Sequence, residues 1–360
     1  MFLWFCAPLK TIRTTKNSFH ISNFWYLWKS NEMNEKIIDW LLEEENPSVR
    51  YAALTSLCGF SAEDPEAKSA RNAIMEQGIV PKILQRQNAD GSWGIPERFY
   101  DDKYEGSSWM LLILAELGAD GADERIKAAC EFILQHAYHR ESGSFSHKES
   151  AQTKSGLFGG IIPCLTGNMV YALIQFGYLK DERIQKALDW ICRYQRTDDG
   201  DPRPPVDPFI ERFSACWGLH SCHMGVAKTL KALAVIPQND RNEAVAAKID
   251  QLTEYFLIHH LYKKSHDVNS ISKSGWLKFG FPLMYQTDVL ELLGIFADLH
   301  ISDSRLEDAI AVVESKRSEN GTWLMENSYN GKMLISIEHK GKPSKWITLK
   351  AMKILKTFKI

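Results

Sequence analysis

Apolar residues recur at helical spacing along most of the chain, and the runs that they form end in similar ways. Met110, Leu111, Leu114 and Leu117 make up one run, and Gly118 follows it directly. Apolar positions three or four residues apart predict an amphipathic helix, and a glycine directly after it is typical of a left-handed helix end. A second amphipathic run begins a few residues later. Each unit is therefore predicted to be a helix hairpin.

The junction between the two helices of a hairpin is repeated. An apolar exit followed by an acidic entry occurs at residues 117–126, 176–184 and 299–306. In each copy an aspartate is predicted to cap the second helix or to lie in its first turn: Asp123, Asp181 and Asp303. The interval before the third copy has room for one more hairpin, with helices predicted over residues 224–235 and 243–260. Strand signals are nearly absent, and residues 333–337 are predicted to form a loop or a short hairpin.

A second motif recurs where one hairpin meets the next. Gln87, Gly91 and Trp93 follow a short apolar helix, and the same spacing returns with arginine in place of glutamine at Arg317, Gly321 and Trp323. Weaker echoes lie at residues 135–145, 195–200 and 275–276. The glycine ends a helix, the aromatic ring covers apolar surface, and the glutamine satisfies free helix-end groups. The motif is predicted to staple neighbouring hairpins together.

This Q-x-x-x-G-x-W pattern resembles the QW motif of squalene and oxidosqualene cyclases. Related glycine-aromatic repeats mark the β subunits of protein prenyltransferases, so the chain resembles the terpenoid cyclase and protein prenyltransferase superfamily over residues 80–358. The resemblance implies an all-α fold, an α/α toroid, which is a closed ring of helix hairpins with inner and outer helix layers. An open superhelix of helical repeats is the alternative. We predict one toroid domain over residues 33–360.

Composition narrows the class of protein. The 360 residues carry a net charge of -2 and 44% hydrophobic residues, which is typical of a globular chain and gives no basic excess for binding nucleic acid. Seven scattered cysteines favour reduced thiols in a cytoplasmic protein. No apolar run is long enough for a membrane span. The sequence does not indicate an oligomeric state.

The N-terminal segment differs from the repeats. Residues 1–9 are apolar, but the positive charges follow this stretch instead of preceding it, unlike a signal peptide. We predict that residues 1–32 are a poorly ordered extension and that the natural start is Met33.

Four residues occupy matching positions just before successive helices: Glu105, Cys164, Cys222 and Tyr285. In a toroid the inner helices run parallel, so these residues are predicted to converge at one mouth of the ring. Helix N-termini favour anions and lower the pKa of a thiol. Cys164, Cys222 and Glu105 are therefore candidate catalytic residues, and Tyr285 is a candidate substrate-binding residue.

The cysteines also suggest a metal site. Cys164, Cys216, His220 and Cys222 offer three sulfurs and an imidazole, a ligand set suited to zinc, although buried cysteines more often act as small apolar residues. Prenyltransferase β subunits hold a catalytic zinc with Asp, Cys and His ligands, which this chain does not match residue by residue. Asp288 is a candidate catalytic carboxylate by this resemblance, whereas capping its own helix is the simpler interpretation.

Other polar and aromatic residues have two interpretations. Lys345 and Trp346 begin the last helix, and a lysine there predicts an anionic ligand or a contact with Glu338. Trp109 and Trp346 are candidate substrate-binding aromatics. The basic cluster at residues 259–267 is predicted to lie at the opposite end from Cys222, and residues 198–201 are predicted to form a solvated turn rather than the acidic motif of a cyclase.

Three functions remain open from the sequence. The first is an enzyme acting on an isoprenoid or other apolar small molecule in an aromatic-lined cavity, with a Cys/His-rich and zinc-binding mouth. The second is a noncatalytic binding or scaffold protein, and the third is zinc-dependent thiol chemistry. The adjacent Gly, Cys, Gly, Glu and Gln of complement-type thioester toroids are absent, which excludes that branch.

Overall fold

The computed structural model describes residues 32–199, 216 and 221–359, and helices dominate them. The helices of five or more residues are α1 (Glu32–Leu41), α2 (Pro47–Ser56), α3 (Pro65–Glu76), α4 (Val80–Leu84), α5 (Ser107–Glu116), α6 (Glu124–His136), α7 (Pro163–Gln175), α8 (Glu182–Tyr194), α9 (His223–Ala234), α10 (Glu243–Ile258), α11 (Val289–Asp298), α12 (Glu307–Ser315) and α13 (Lys345–Phe358). The predicted fourth hairpin is confirmed as α9 and α10, and residues 333–337 form a loop. Of the predicted extension, residues 1–32, the structure describes only Glu32, and the natural start at Met33 stays a prediction.

The aspartates at the hairpin junctions cap helices as predicted. The carboxylates of Asp123 and Asp181 accept hydrogen bonds from the backbone N–H groups of Arg125 and Arg183. Asp303 does the same for a short 3-10 turn that leads into α12. These bonds satisfy N–H groups that a helix start leaves free, so each junction fixes where the second helix begins.

The helices fall into two layers by burial. Nearly every residue of α5, α7, α9 and α11 is buried, whereas α8 buries a single stripe that contains Ile184, Ala187, Leu188 and Ile191. Each buried helix contacts the next buried helix along the chain and also its own amphipathic partner, as α7 contacts α9 and α8. We call α5, α7, α9 and α11 the inner helices.

The closest inner contact lies between α7 and α9. Gly167 packs against the backbone of Lys228, where a Cβ atom at position 167 would lie 2.5 Å from the Lys228 carbonyl carbon. Any larger side chain would push the two helices apart. The glycines in the repeated Cys-x-x-Gly phrase therefore serve helix packing, at least at position 167.

The last helix packs against the first ones. α13 contacts both α1 and α2. Lys356 Nζ donates to the carbonyl oxygens of Ser56 and Leu57, each at 3.0 Å, and Arg317 Nη2 donates to Asn34 Oδ1 at 2.8 Å. The two ends of the described chain thus meet.

The glycine-aromatic motifs make equivalent contacts at different junctions. Trp93 Nε1 donates to the Ile83 carbonyl at 2.9 Å, and Gln87 Nε2 donates to the Arg125 carbonyl in α6 at 2.8 Å. In three of these motifs the backbone N–H of the aromatic residue donates a hydrogen bond to a hydroxyl group on a following helix. The pairs are Trp93 with Ser107, Phe145 with Thr166 and Trp323 with Thr348. Each motif ties the turn to the next hairpin.

Two short strands, β1 (Lys263–Lys264) and β2 (Asp267–Ile271), pair antiparallel after α10. The sequence analysis missed this hairpin because the stretch is polar and exposed and lacks an apolar alternation. Among the described helices, none has the length and apolar character needed to cross a membrane.

Candidate functional site

The N-termini of the inner helices meet at one end of the molecule, as predicted. Trp109 in the first turn of α5 lies near Tyr285, which precedes α11, with ring centroids 6.2 Å apart. Asn168 in α7 donates to the carbonyl of Met284 at 3.1 Å. Cys164 at the start of α7 interacts electrostatically with Cys222 at the start of α9. We call this region the N-terminal end.

Five aromatic residues form a cluster at the N-terminal end. We call them the aromatic cluster: Tyr100, Tyr104, Trp109, Tyr285 and Tyr329. Tyr104 is central, with its ring centroid 4.4 Å from Tyr329, 5.2 Å from Trp109 and 6.4 Å from Tyr285. Trp109 also lies 4.8 Å from Tyr100, to whose carbonyl its Nε1 donates at 2.8 Å. Trp109 is buried, whereas Tyr285 is half-buried and lies at the edge of the cluster.

A lysine covers the exposed side of this cluster. Lys103 Nζ lies 5.0 Å from the ring centroid of Tyr100 and 4.9 Å from that of Tyr285. A cation over aromatic faces is attracted by their electron density. The N-terminal end therefore combines an apolar ring surface with the positive charge of Lys103.

Several buried polar atoms here lack a hydrogen-bond partner among the described residues: Ser108 Oγ, Asn168 Oδ1, Gln286 Oε1 and the Tyr329 hydroxyl. Two of them are tied to the aromatic cluster, since Gln286 Nε2 donates to the Tyr104 hydroxyl at 3.2 Å and Tyr329 belongs to the cluster. Buried polar groups in native proteins usually bond protein, water or ligand. This end therefore offers polar groups that a ligand can satisfy.

Asp288 lies beside the cluster and caps α11. Its carboxylate accepts from the backbone N–H groups of Glu291 at 2.8 Å and Gly280 at 3.0 Å. Burial raises the pKa of Asp288 to about 7, and the nearby Glu291 carboxylate acts in the same direction. The simpler sequence interpretation, a helix cap, is confirmed, while a catalytic role stays a prediction. Asp288 also interacts electrostatically with Tyr329.

The thiols predicted to converge do so. The Cys216 thiol donates a hydrogen bond to the Cys222 sulfur, which lowers the pKa of Cys222 to about 6 against the opposing effect of burial. Backbone N–H groups of Met224 and Gly225 at the start of α9 contribute to the same lowering. Burial raises the pKa of Cys164 to about 12, and the Cys222 charge adds to this. Cys222 is thus the thiol of the three whose pKa is lowered.

A buried histidine lies next to these thiols. His223 stacks on Trp276 with ring centroids 3.7 Å apart, and burial holds its pKa well below the usual range. His259 lies 6.2 Å from His223, so the prediction that the basic cluster lies at the opposite end from Cys222 is wrong for this residue. The reason is that α10 runs antiparallel to α9, which brings the end of α10 beside the start of α9.

The described residues do not fit the predicted zinc site. Among them, no group of three or more His, Cys, Asp or Glu side chains is arranged to hold a metal ion. Cys216 uses its thiol proton to bond Cys222, and His220 lies outside the described residues. Zinc therefore stays a prediction, which the metal content of the purified protein and of a Cys222→Ser variant would test.

The remaining predicted site residues take other positions. Glu105 is exposed. Lys345 Nζ pairs with Glu43 Oε2 at 2.6 Å, while Glu338 accepts from the backbone N–H of Lys345 at 2.7 Å. Glu338 therefore compensates the helix start, as one sequence alternative proposed. Trp346 is buried and stacks on Phe281 with centroids 4.3 Å apart, which places it in the core.

A buried set of charges between the inner helices has no counterpart in the sequence predictions. We call it the charged cluster: Glu116, Lys228, Lys231, Glu291 and Lys350. Lys228 Nζ bonds both carboxylate oxygens of Glu291, at 2.8 and 2.7 Å, and Lys231 bridges Glu291 and Glu116. The sequence feature that could have indicated these residues is a charged residue inside an otherwise apolar helix, such as Glu291 in Val289–Asp298.

The charged cluster borders a cavity of about 250 Å³. Its lining includes Glu116, Tyr171, Lys231 and Lys350. Although burial opposes it, the two nearby lysines hold the pKa of Glu291 at about 2. Glu291 is therefore held as a carboxylate between Lys228 and Lys231.

Comparison with known proteins gives structural similarity only. No family model matches the chain, and no curated protein matches it. The type II terpene cyclase MstE from Scytonema is similar at 15% identity and a TM-score of 0.41, covering 88% of this chain and 88% of that one. An MstE variant bound to geranylgeranyl dihydroxybenzoate is 15% identical with a TM-score of 0.40, covering 88% of this chain and 87% of that one. A protein from Actinoplanes is 13% identical with a TM-score of 0.40, covering 88% of this chain and 90% of that one. Similarity at this level supports no argument about chemistry.

Proposed function

We propose that the protein is an α/α toroid of the terpenoid cyclase and prenyltransferase type that acts on an isoprenoid or another apolar small molecule. The contacts of α13 with α1 and α2 support a closed ring rather than an open superhelix. In an open superhelix the last repeat would lie far from the first. The parallel inner helices then surround the axis of the ring.

The observation that carries the proposal is the aromatic cluster at the N-terminal end. Its rings meet near the starts of α5 and α11, and polar atoms without a partner among the described residues lie close to them. Aromatic faces bind apolar chains and stabilise cations such as those formed from isoprenoids. The half-buried Tyr285, covered by Lys103, is the side chain that a ligand would displace first.

Asp288 is the residue that we propose for proton transfer. General acids work best with a pKa near the pH of the reaction, and burial raises the pKa of Asp288 to about 7. Its two backbone hydrogen bonds fix the carboxyl group beside Tyr329. Cys222 is the second candidate, as a thiol of lowered pKa at the same end.

A noncatalytic scaffold is the second candidate function, and the size of the cavity beside the charged cluster favours it. That cavity measures about 250 Å³, whereas pockets for small-molecule ligands usually measure roughly 300–1,000 Å³. The aromatic rings also pack directly on one another. A ligand must therefore move side chains in order to enter.

Thermal unfolding with a set of ligands tests the proposal. Farnesyl diphosphate and geranylgeranyl diphosphate are compared with farnesol and with inorganic pyrophosphate. We expect the isoprenoids to raise Tm by a few degrees, because ligand at about 100 times Kd stabilises by roughly 2.7 kcal/mol. Stabilisation by pyrophosphate alone would indicate an anion site instead.

The variant Tyr285→Ala locates the binding site. We expect it to weaken isoprenoid binding by about tenfold, since lost aromatic contacts cost roughly 0.5–1.5 kcal/mol. Tyr178→Ala is the matched control, because Tyr178 is also half-buried but lies between α7 and α8, away from the aromatic cluster. Equal losses in both variants, or no response to any isoprenoid, would favour the scaffold.

A further inference from the structure

One face of α7 lines the space between the inner helices. Tyr171 and Gln175 on this face border the cavity beside the charged cluster. Asn168 lies three and seven residues before them, so it is on the same face of the helix, about 4.5 Å nearer the N-terminal end than Tyr171. Asn168 is only 1% exposed. It is therefore a buried amide that faces the interior between the inner helices.

A hydrogen bond fixes the orientation of the Asn168 amide. Its Nδ2 donates to the carbonyl oxygen of Met284 at 3.1 Å, in the segment that leads into α11. A backbone carbonyl oxygen can only accept, so the nitrogen must be the amide atom that faces it. The Oδ1 atom is then the other branch of the amide, and this buried oxygen has no hydrogen-bond partner among the described residues.

The unpartnered atoms define the head group that would complement them. An amide oxygen can only accept a hydrogen bond, so Asn168 Oδ1 lacks a donor. In the described part of the chain, the buried hydroxyl groups of Ser108 and Tyr329 at this end also have no partner, and a hydroxyl group can donate or accept. A ligand that carries an O–H or N–H group would satisfy the amide oxygen, whereas an acceptor alone would not.

The buried lysines near Asn168 along the inner helices are already engaged. Both lysines of α9 bond carboxylates, since Lys228 bonds the two carboxylate oxygens of Glu291, and Lys231 bonds Glu291 and Glu116. A diphosphate in the interior would have to compete for these buried pairs. Lys103 is exposed, so an anion that it holds would stay at the surface. The interior therefore favours a neutral head group over an anionic one.

We propose that Asn168 anchors the head group of the ligand and selects an isoprenoid alcohol, or another apolar molecule with a neutral hydrogen-bond donor, over a prenyl diphosphate. The ligand hydroxyl donates to Asn168 Oδ1, and the apolar chain lies against the aromatic cluster. This inference rests on the proposed isoprenoid function and names the substrate class of the same site.

The test compares three probes on the full-length protein: farnesol, farnesyl methyl ether and farnesyl diphosphate. The rise of Tm with probe concentration gives each Kd. We expect farnesol to bind about tenfold more tightly than the ether, because the ether oxygen can accept a hydrogen bond but cannot donate one. Farnesol should also bind more tightly than the diphosphate.

The outcomes separate this inference from the proposed function. Equal affinity for farnesol and its ether, or tighter binding of the diphosphate, would overturn the role of Asn168 and leave the isoprenoid function standing. No response to any of the three probes would overturn the isoprenoid function, and this inference with it.

The variant Asn168→Leu removes the acceptor and keeps a side chain of similar size. We expect it to bind farnesol about tenfold more weakly and the ether about equally well, so that the preference disappears. Thr229→Val is the matched control, because the buried hydroxyl of Thr229 on α9 already donates to the carbonyl oxygens of Gly225 and Val226. This control should keep the preference for farnesol.

A preference for farnesol that persists in Asn168→Leu would contradict the proposal, because the bulk of the ether methyl group would then be its cause. Circular dichroism verifies the fold of both variants. The three probes on the unaltered protein decide the question if Asn168→Leu does not fold.

Discussion

Two buried regions between the inner helices have opposite electrostatic character. In one, the charged cluster pairs lysines with glutamates at contact distance, as in the two bonds from Lys228 to Glu291 at 2.8 and 2.7 Å. At the N-terminal end, aromatic rings and thiols take the place of the ion pairs, and polar atoms of Asn168 and Tyr329 have no partner among the described residues.

The two regions therefore differ in whether their polar groups are free to react. Charges that are buried and fully paired hold helices in register but leave no group free to react. A carboxyl group whose pKa is raised by burial, a thiol whose pKa is lowered and polar atoms without a partner among the described residues do leave such groups, and they lie where the helix N-termini meet. We therefore place function at the N-terminal end and stability at the charged cluster.

The largest effect is expected from breaking the charged cluster. Glu291→Gln should lower the free energy of unfolding by about 3–5 kcal/mol, because it leaves Lys228 buried with no carboxylate at contact distance. Urea unfolding measures this change. Glu254→Gln is the matched control, since it breaks the exposed pair with Arg305 and should cost less than about 1 kcal/mol.

Similar losses in the two glutamine variants would show that the buried pairs contribute no more than surface ones. The double variant Lys228→Met with Glu291→Leu sharpens the comparison. It should be more stable than Glu291→Gln, because it removes both buried charges instead of one.

The pH dependence of stability should have opposite signs for Asp288 and for Glu291. Asp288 has a folded pKa of about 7 and an ordinary value of 3.8, so the folded state binds its proton more tightly. Its contribution is fully present below about pH 4 and is lost as the pH rises to about 7, amounting to at most about 4 kcal/mol. Glu291, with a folded pKa of about 2, contributes stability above about pH 4.5 that is lost as the pH falls towards 2.

Urea unfolding between pH 4 and pH 7 tests this sign. Asp288→Asn should flatten the fall in stability over this interval. Asp303→Asn is the control, because Asp303 also caps a helical turn but its pKa is lowered to about 2 by its hydrogen bonds with Arg305. An unchanged pH profile in Asp288→Asn would mean that this carboxyl group does not titrate in the range, and its proposed role as an acid would fail.

The smallest changes in stability are expected from removing the hydroxyl groups of two tyrosines, one in each region. Tyr171 hydrogen-bonds Glu116 in the charged cluster, so Tyr171→Phe should cost about 1–2 kcal/mol. The buried hydroxyl of Tyr329 has no partner among the described residues, so Tyr329→Phe should change stability by less than about 0.5 kcal/mol or increase it. Differential scanning calorimetry compares the two variants. A larger loss of stability for Tyr329→Phe would contradict the assignment of stability to the charged cluster.

Local patterns in the sequence were enough to predict the helix hairpins. Apolar spacing, glycine after Leu117 and Phe176, and aspartate at each entry placed the helix ends within a few residues, because these signals act through contacts inside one or two turns. The convergence of Cys164 with Cys222 followed from the repeat, since equivalent positions on parallel helices lie at the same end.

Tertiary structure decided which groups became partners. Lys228 and Glu291 are 63 residues apart, and nothing in either helix shows that they pair. Lys345 was predicted at a ligand site, but it pairs with Glu43 of the α1–α2 connection because the last helix packs against the first ones. The sequence by itself determined where helices begin and end, because that depends on neighbouring residues. The packing of distant helices determined the charge pairs of the charged cluster and the roles left to polar groups without a partner among the described residues.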